Sequence, residues 1–245
     1  TALAATRPGH LSIAFQSGGV AITFMSNCVD RYMNFAHVFS TGNEVDVEIG
    51  DCLEFFAEDE QTQVIALYVE QFRDAQKFIE AAEKCAAARK PIVALKSGRS
   101  EMGQKMAQAH TGALAGSDQI VDAVLKQLGI ARVFTLNEMI ETAAILHSRK
   151  MPRGRGVGAL TNSGGENSMM ADLAEELGVE LPQFSPESAQ MVRAALYDYI
   201  AVSNPLDITG PGGSTDLPVL TASLDAMGSD PNIHIILNNL TGNVR

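Results

Sequence analysis

The chain has 245 residues, 46% of them hydrophobic, which is enough to bury one large core or two ordinary ones. Its formal net charge of −11, from 18 Lys and Arg against 29 Asp and Glu, repels polyanions, so nucleic acid and anionic membranes are disfavoured as partners and any phosphate site must be local. The apolar runs at 157–160 and 235–237 are too short to cross a bilayer and no basic-then-apolar leader opens the chain, which sets the expectation of a cytoplasmic protein without a membrane partner.

Short β-rich runs alternate with helical periodicity, the pattern of a parallel sheet covered by helices on both faces. In chain order the runs predict a strand at 11–16, a helix at 20–32, a strand at 36–40 and a helix at 49–57. A strand at 64–69, an Ala-rich helix at 74–88 broken before Pro91, and a strand at 92–96 follow. Residues 97–116 read as an irregular polar loop, because Gly98, Gly103, Gly112 and Gly116 are too many for a comfortable helix and the connection is too long to be casual. Helix resumes near Ser117, the expected N-cap, and a strand at 131–134 and a helix at 136–147 complete the first half.

Residues 148–156 read as a linker, after which the pattern restarts with a strand at 157–161, a helix to about Leu177, a helix at 186–197, a loop at 203–207, a helix at 217–227 and a strand at 233–237. The expected organisation is two doubly wound α/β domains, 1–149 and 150–245, the second an incomplete copy of the first, as in a fragment of a longer polypeptide. The repeat is visible in detail. Gln16-Ser17-Gly18-Gly19 in the first half and Asn162-Ser163-Gly164-Gly165 in the second each stand at a strand-to-helix turn.

Such a turn lets backbone N–H groups and the positive end of a helix approach an anion closely. A single Ser-Gly-Gly reads first as a tight turn and nothing more, but its recurrence at the same architectural point makes Ser17, Gly18, Gly19, Ser163, Gly164 and Gly165 candidate phosphate ligands, with two helix starts expected to clamp one phosphoryl group. Glu166 in the first turn of the second helix is a carboxylate that would compete with phosphate there. Residues 98–105, GRSEMGQK, resemble a P-loop but misplace its lysine by one position, and no GxGxxG follows a strand.

His110 stands apart from the other four histidines because it lies in AHTGALAG, where small neighbours leave the imidazole unshielded. Cys28, Cys52 and Cys85 are odd in number, widely spaced and within predicted helices, which fits reduced thiols; no Cys/His cluster suggests zinc, so no metal site is expected. The absence of Trp and only four Tyr argue against a flavin carrier.

The run 98–118, GRSEMGQKMAQAHTGALAGSD, closely resembles the phosphohistidine loop of the ADP-forming acyl-CoA synthetases, relatives of succinyl-CoA synthetase. Gln16-Ser17-Gly18-Gly19, Thr41-Gly42-Asn43, Tyr68-Val69-Glu70, Asn162-Ser163-Gly164-Gly165 and Ser203-Asn204-Pro205-Leu206-Asp207 stand in the order that family would have them. The resemblance implies two flavodoxin-like domains and an acid–thiol ligase that makes acyl-CoA from a small carboxylic acid, CoA and ATP, releasing ADP and phosphate through an acyl phosphate and a phosphorylated histidine. It places the phosphoryl group on His110 and implies that Glu70, otherwise an ordinary strand-end carboxylate, bonds the histidine ring. It further implies a CoA-binding domain, an ATP-grasp domain or subunit, ATP/ADP with Mg, and an oligomer. The competing expectation is a regulatory, acyl-CoA-sensing module of a protein acetyltransferase fusion, from which the histidine would be lost.

Overall fold

The computed structural model describes residues 8–29, 31–111, 117–148, 152–211 and 216–240, with the backbone alone described for 107–111. The chain divides into two compact units, Thr1–Lys150 and Met151–Arg245. The first unit runs β1 (Leu11–Phe15), α1 (Gly18–Val29), β2 (Phe35–Ser40), α2 (Ile49–Glu58), β3 (Val64–Val69), α3 (Ala75–Ala87), β4 (Ile92–Lys96), α4 (Glu101–Thr111), α5 (Asp118–Gln127), β5 (Ala131–Val133) and α6 (Leu136–His147). Its five strands form one sheet in the order β2-β1-β3-β4-β5, every pairing parallel.

Two-residue alternation along these strands sends side chains to both faces, and both faces are apolar because a parallel sheet is covered on each side. Ile13, Phe15, Ala66, Val93 and Leu95 pack with Phe24, Cys28, Met139 and Ile140 of α1 and α6. Ala14, Ile65, Leu67, Ile92 and Ala94 pack with Leu53, Phe56, Phe78, Ala82 and Leu125 of α2, α3 and α5. Burial of each large side chain contributes roughly 2–3 kcal/mol relative to exposure. The chain leaves β1 for β2 on one side and then returns to β3 on the other, so the strand order reverses between β1 and β3. That is the switch point at which open α/β sheets leave a crevice for ligands.

The second unit runs β6 (Val157–Thr161), α7 (Gly164–Leu177), α8 (Pro186–Ala195), β7 (Leu206–Asp207), α9 (Leu217–Ser229) and β8 (Ile235–Asn239). Its strands are parallel in the order β7-β6-β8, repeating the first three positions of the other sheet with the same reversal about its first strand. Leu160, Val192, Leu206, Ile208, Leu220 and Met227 form its core.

Three elements differ from expectation. Residues 101–111 are helical rather than irregular: the Gly103 amide donates to Ser100 Oγ at 3.1 Å, which starts the helix, and a Cβ on Gly103 would meet Gly98 Cα at 3.2 Å. Gly103 therefore serves close approach of two backbones and not flexibility. The loop at 203–207 ends in the short strand β7, held by the pairing of Leu160 with Leu206. The last strand begins at Ile235, two residues later than its apolar run predicts, because Ile233 is 7% exposed and belongs to the core beneath the sheet's end.

Candidate functional site

At the first switch point the chain leaves β1 through Gln16 and enters α1 two residues later. Gln16 is buried and its side chain joins two strand ends. Its Oε1 accepts from the amides of Glu70 (2.5 Å) and Gln71 (3.0 Å), and its Nε2 donates to the Gln71 carbonyl at 2.7 Å. The backbone of Glu70, one residue beyond β3, is thereby fixed beside the start of α1.

Ser17 caps that start, its Oγ accepting from the Val20 amide at 3.4 Å. A Cβ on Gly18 would meet Ser40 Oγ, at the end of β2, at 3.3 Å, so Gly18 is matched to a protein neighbour. A Cβ on Gly19 would meet nothing within 4 Å. Packing does not require glycine at position 19, and the backbone at Gly18 and Gly19 is exposed at the helix start. Thr41 and Glu44 close the neighbouring turn: the buried Glu44 carboxylate accepts from Thr41 Oγ1 at 3.2 Å and the Ile49 amide at 2.9 Å, and burial raises its pKa.

Lys96 ends β4 and pairs in register with Val69, the residue before Glu70. It is only 7% exposed, and its Nζ donates to the Ser97 carbonyl at 2.5 Å. Burial pulls its ammonium below the usual lysine range, the Asp118 charge opposes that shift, and Arg132 reinforces it. Gln16, Glu70 and Lys96 thus stand on three adjacent strand ends. His110 lies in the last turn of α4 by its backbone, and its side chain falls outside the described residues, as do residues 112–116.

The second unit builds a similar turn with different charge. Ser163 caps α7 through the Glu166 amide at 3.5 Å, and a Cβ on Gly164 would meet Asp207 Oδ2, at the end of β7, at 3.3 Å. A Cβ on Gly165 would meet only Ser163 Oγ, at 4.0 Å. The Glu166 carboxylate is turned back to the strand ends, accepting from Thr161 Oγ1 at 2.7 Å and Asn239 Nδ2 at 3.1 Å. The first unit has Val20 at that position, so the two starts differ by a full negative charge in the first turn. A cavity of about 470 Å³ with mixed polar and apolar walls opens beside this turn, lined by Asn167, Ser203, Asp207 and Thr209 and by Tyr199 and Ile200 among others.

The three cysteines are free and buried, and burial pushes the Cys28 and Cys52 thiols up to about 12 and Cys85 to about 11, so all three are inert side chains of the core. Among the described residues no group of three or more His, Cys, Asp or Glu side chains is placed to hold a metal ion, and no helix is long and apolar enough to cross a membrane. Residue reading missed three groups. Gln16 was visible only as part of a turn motif, whereas Lys96 and Arg132 carry a weak signal as charges in otherwise apolar strands.

Fold and turns together define a doubly wound parallel α/β protein with a glycine-lined helix start at each switch point. The family model described as succinyl-CoA ligase like flavodoxin domain matches residues 8–146, and the chain belongs to that family. It is 37% identical over 203 residues to acetate–CoA ligase [ADP-forming] I subunit alpha of Pyrococcus furiosus, covering 83% of this chain and 44% of that protein. The subunit alpha of the second such ligase in the same organism is 32% identical over 237 residues, covering 97% of this chain and 51% of its own length. The chain thus spans about half the length of these curated relatives. A solved structure of the dinucleotide-forming acetyl-coenzyme A synthetase 1 of Ca. Korarchaeum cryptofilum, in complex with phosphate and ADP, superposes with a TM-score of 0.78 at 26% identity over 96% of this chain and 57% of that one.

Proposed function

We propose that the chain is the phosphoryl-carrying core of an ADP-forming acid–thiol ligase, with His110 as the carrier. The observation that carries this reading is the Gln16 link, which sets the backbone of Glu70 beside an α1 start whose Gly19 faces open space. Membership of the succinyl-CoA ligase like family, and the ADP-forming ligases among its relatives, support the reaction class.

In the forward direction an imidazole nitrogen of His110 attacks the γ-phosphorus of ATP; an N–P bond forms, the bridging P–O bond breaks and ADP leaves. A carboxylate oxygen of the acid then attacks that phosphorus, the N–P bond breaks, and an acyl phosphate results. The CoA thiolate attacks its carbonyl carbon and phosphate departs, leaving acyl-CoA. Glu70 accepts the other ring N–H of His110, which selects the tautomer and balances charge on the phosphorylated ring. The amides at Gly18 and Gly19 supply fixed donors to the equatorial phosphoryl oxygens, and Ser163, Gly164 and Gly165 form a second anion site in their own unit. ATP with Mg belongs to an ATP-grasp domain or subunit, CoA to a CoA-binding domain, and a small carboxylic acid completes the substrates.

The test is phosphorylation of the full-length protein, together with its ATP-grasp partner, by γ-labelled ATP and magnesium. Wild type should take up acid-labile, base-stable label, and the His110→Ala variant should take up none. Equal labelling of the two would rule His110 out as the carrier.

A further inference from the structure

The segment that carries His110 leaves the sheet at β4 and returns to it through α5 and β5. Both of its limbs are held by the same short strand end. On the returning limb, Arg132 of β5 donates from Nη2 to Asp118 Oδ1 at 2.5 Å and from Nη1 to Asp122 Oδ1 at 2.8 Å and the Asp118 carbonyl at 3.5 Å. On the outgoing limb, the Arg99 guanidinium lies 4.7 Å from the centroid of the Phe134 ring, directly after β5, and Arg132 lies 5.2 Å from that same centroid. Phe134 is therefore shared by Arg99 of the outgoing limb and by Arg132 of β5 itself. Lys96 adds a buried ammonium at the base of the outgoing limb, bonded to the Ser97 carbonyl.

This arrangement is expensive as simple packing. The Arg132 side chain is 9% exposed, and its Nε is buried without a hydrogen-bond partner among the described residues. Its partners Asp118 and Asp122 are themselves 31% and 57% exposed, and ion pairs open to solvent contribute only about 1 kcal/mol or less, so stability alone does not favour a desolvated guanidinium here. What the guanidinium gives is geometry, because its rigid fork fixes angle as well as distance to the groups it binds.

We propose that Arg132 is a positioning residue for phosphoryl transfer at His110. With Phe134 it fastens the Arg99 limb and the Asp118–Asp122 limb to β5 and so fixes the base from which the histidine is presented. This inference rests on the phosphohistidine reading above. Misplacement of a reacting group by about 1 Å costs up to roughly 100-fold in rate, so a loosened base would show in the transfer step rather than in substrate binding.

The informative variant is Arg132→Lys, which keeps the charge and the apolar stem but has no fork, and it is made in the full-length protein with its ATP-grasp partner. Label formation from Mg-ATP should slow by about 10-fold or more while KM for ATP and the thermal midpoint stay near wild type, and amide exchange at 98–106 and 117–123 should rise. A labelling rate within about two-fold of wild type overturns the proposal, as does a loss that merely tracks the unfolded fraction. If wild-type protein takes no label, the phosphohistidine reading itself falls. Exchange, which needs no phosphate, then decides whether Arg132 holds the limbs, and unchanged exchange in Arg132→Lys overturns the clamp.

Discussion

The glycines near the first switch point separate packing from ligand approach. Gly42 has φ +58°, in the left-handed region, so Gly42→Ala should destabilise the chain by about 1 kcal/mol although its Cβ would meet nothing. Gly19 lies in the first turn of α1 with no such φ and with open space at its Cβ. Gly19→Ala should therefore leave stability unchanged or raise it by up to about 1 kcal/mol through helix propensity, while phosphate binding to the full-length protein weakens. Thermal unfolding and phosphate titration of the two variants check this, and unweakened binding in Gly19→Ala would remove that turn from the proposed anion site. The tripeptide motif was readable because glycine leaves a mark in sequence. The partner that orients it was not, since Gln16 reaches Glu70 across 54 positions and nothing local to either announces the bond.

Elements with clean periodicity were read closely. The strands Val64–Val69, Ile92–Lys96 and Val157–Thr161 coincide with their apolar runs, and the helix Leu136–His147 with its pattern, because each is bounded by a turn or cap residue such as Thr135, whose Oγ1 accepts from the Glu138 amide. Helix α4 was missed because glycine count is a poor guide when one glycine serves a backbone contact. In the second unit the junction before α8 rests on Asp230, 4% exposed, whose carboxylate accepts from the Ser185 amide at 2.7 Å and the Asn232 amide at 2.8 Å. Burial alone would raise that carboxyl, but these hydrogen bonds outweigh it and hold the pKa below its ordinary value. The stabilisation is present above the unfolded-state value near 3.9 and is lost as pH falls through the lower folded value. Asp230→Ala should cost about 2 kcal/mol at neutral pH, measured by denaturant unfolding, and should flatten the acid limb of the stability profile below pH 4 or so.

At the scale of the whole molecule, the two sheets share one rule of construction, a first strand flanked by its second and third, each ending in Ser-Gly-Gly before a helix. That repetition was visible in the sequence because strand, turn and helix follow one another locally. Charge placement was not, since Lys96, Asp118 and Arg132 converge only when β4, α5 and β5 are packed. The same convergence supplies the base on which the proposed carrier segment rests. The most direct measurement is tandem mass spectrometry under non-acidic conditions on full-length protein exposed to Mg-ATP and the proposed ATP-grasp partner. The account predicts a phosphoryl group on His110 and nowhere else in the chain; a phosphoryl group on another residue, with His110 unmodified, would contradict it.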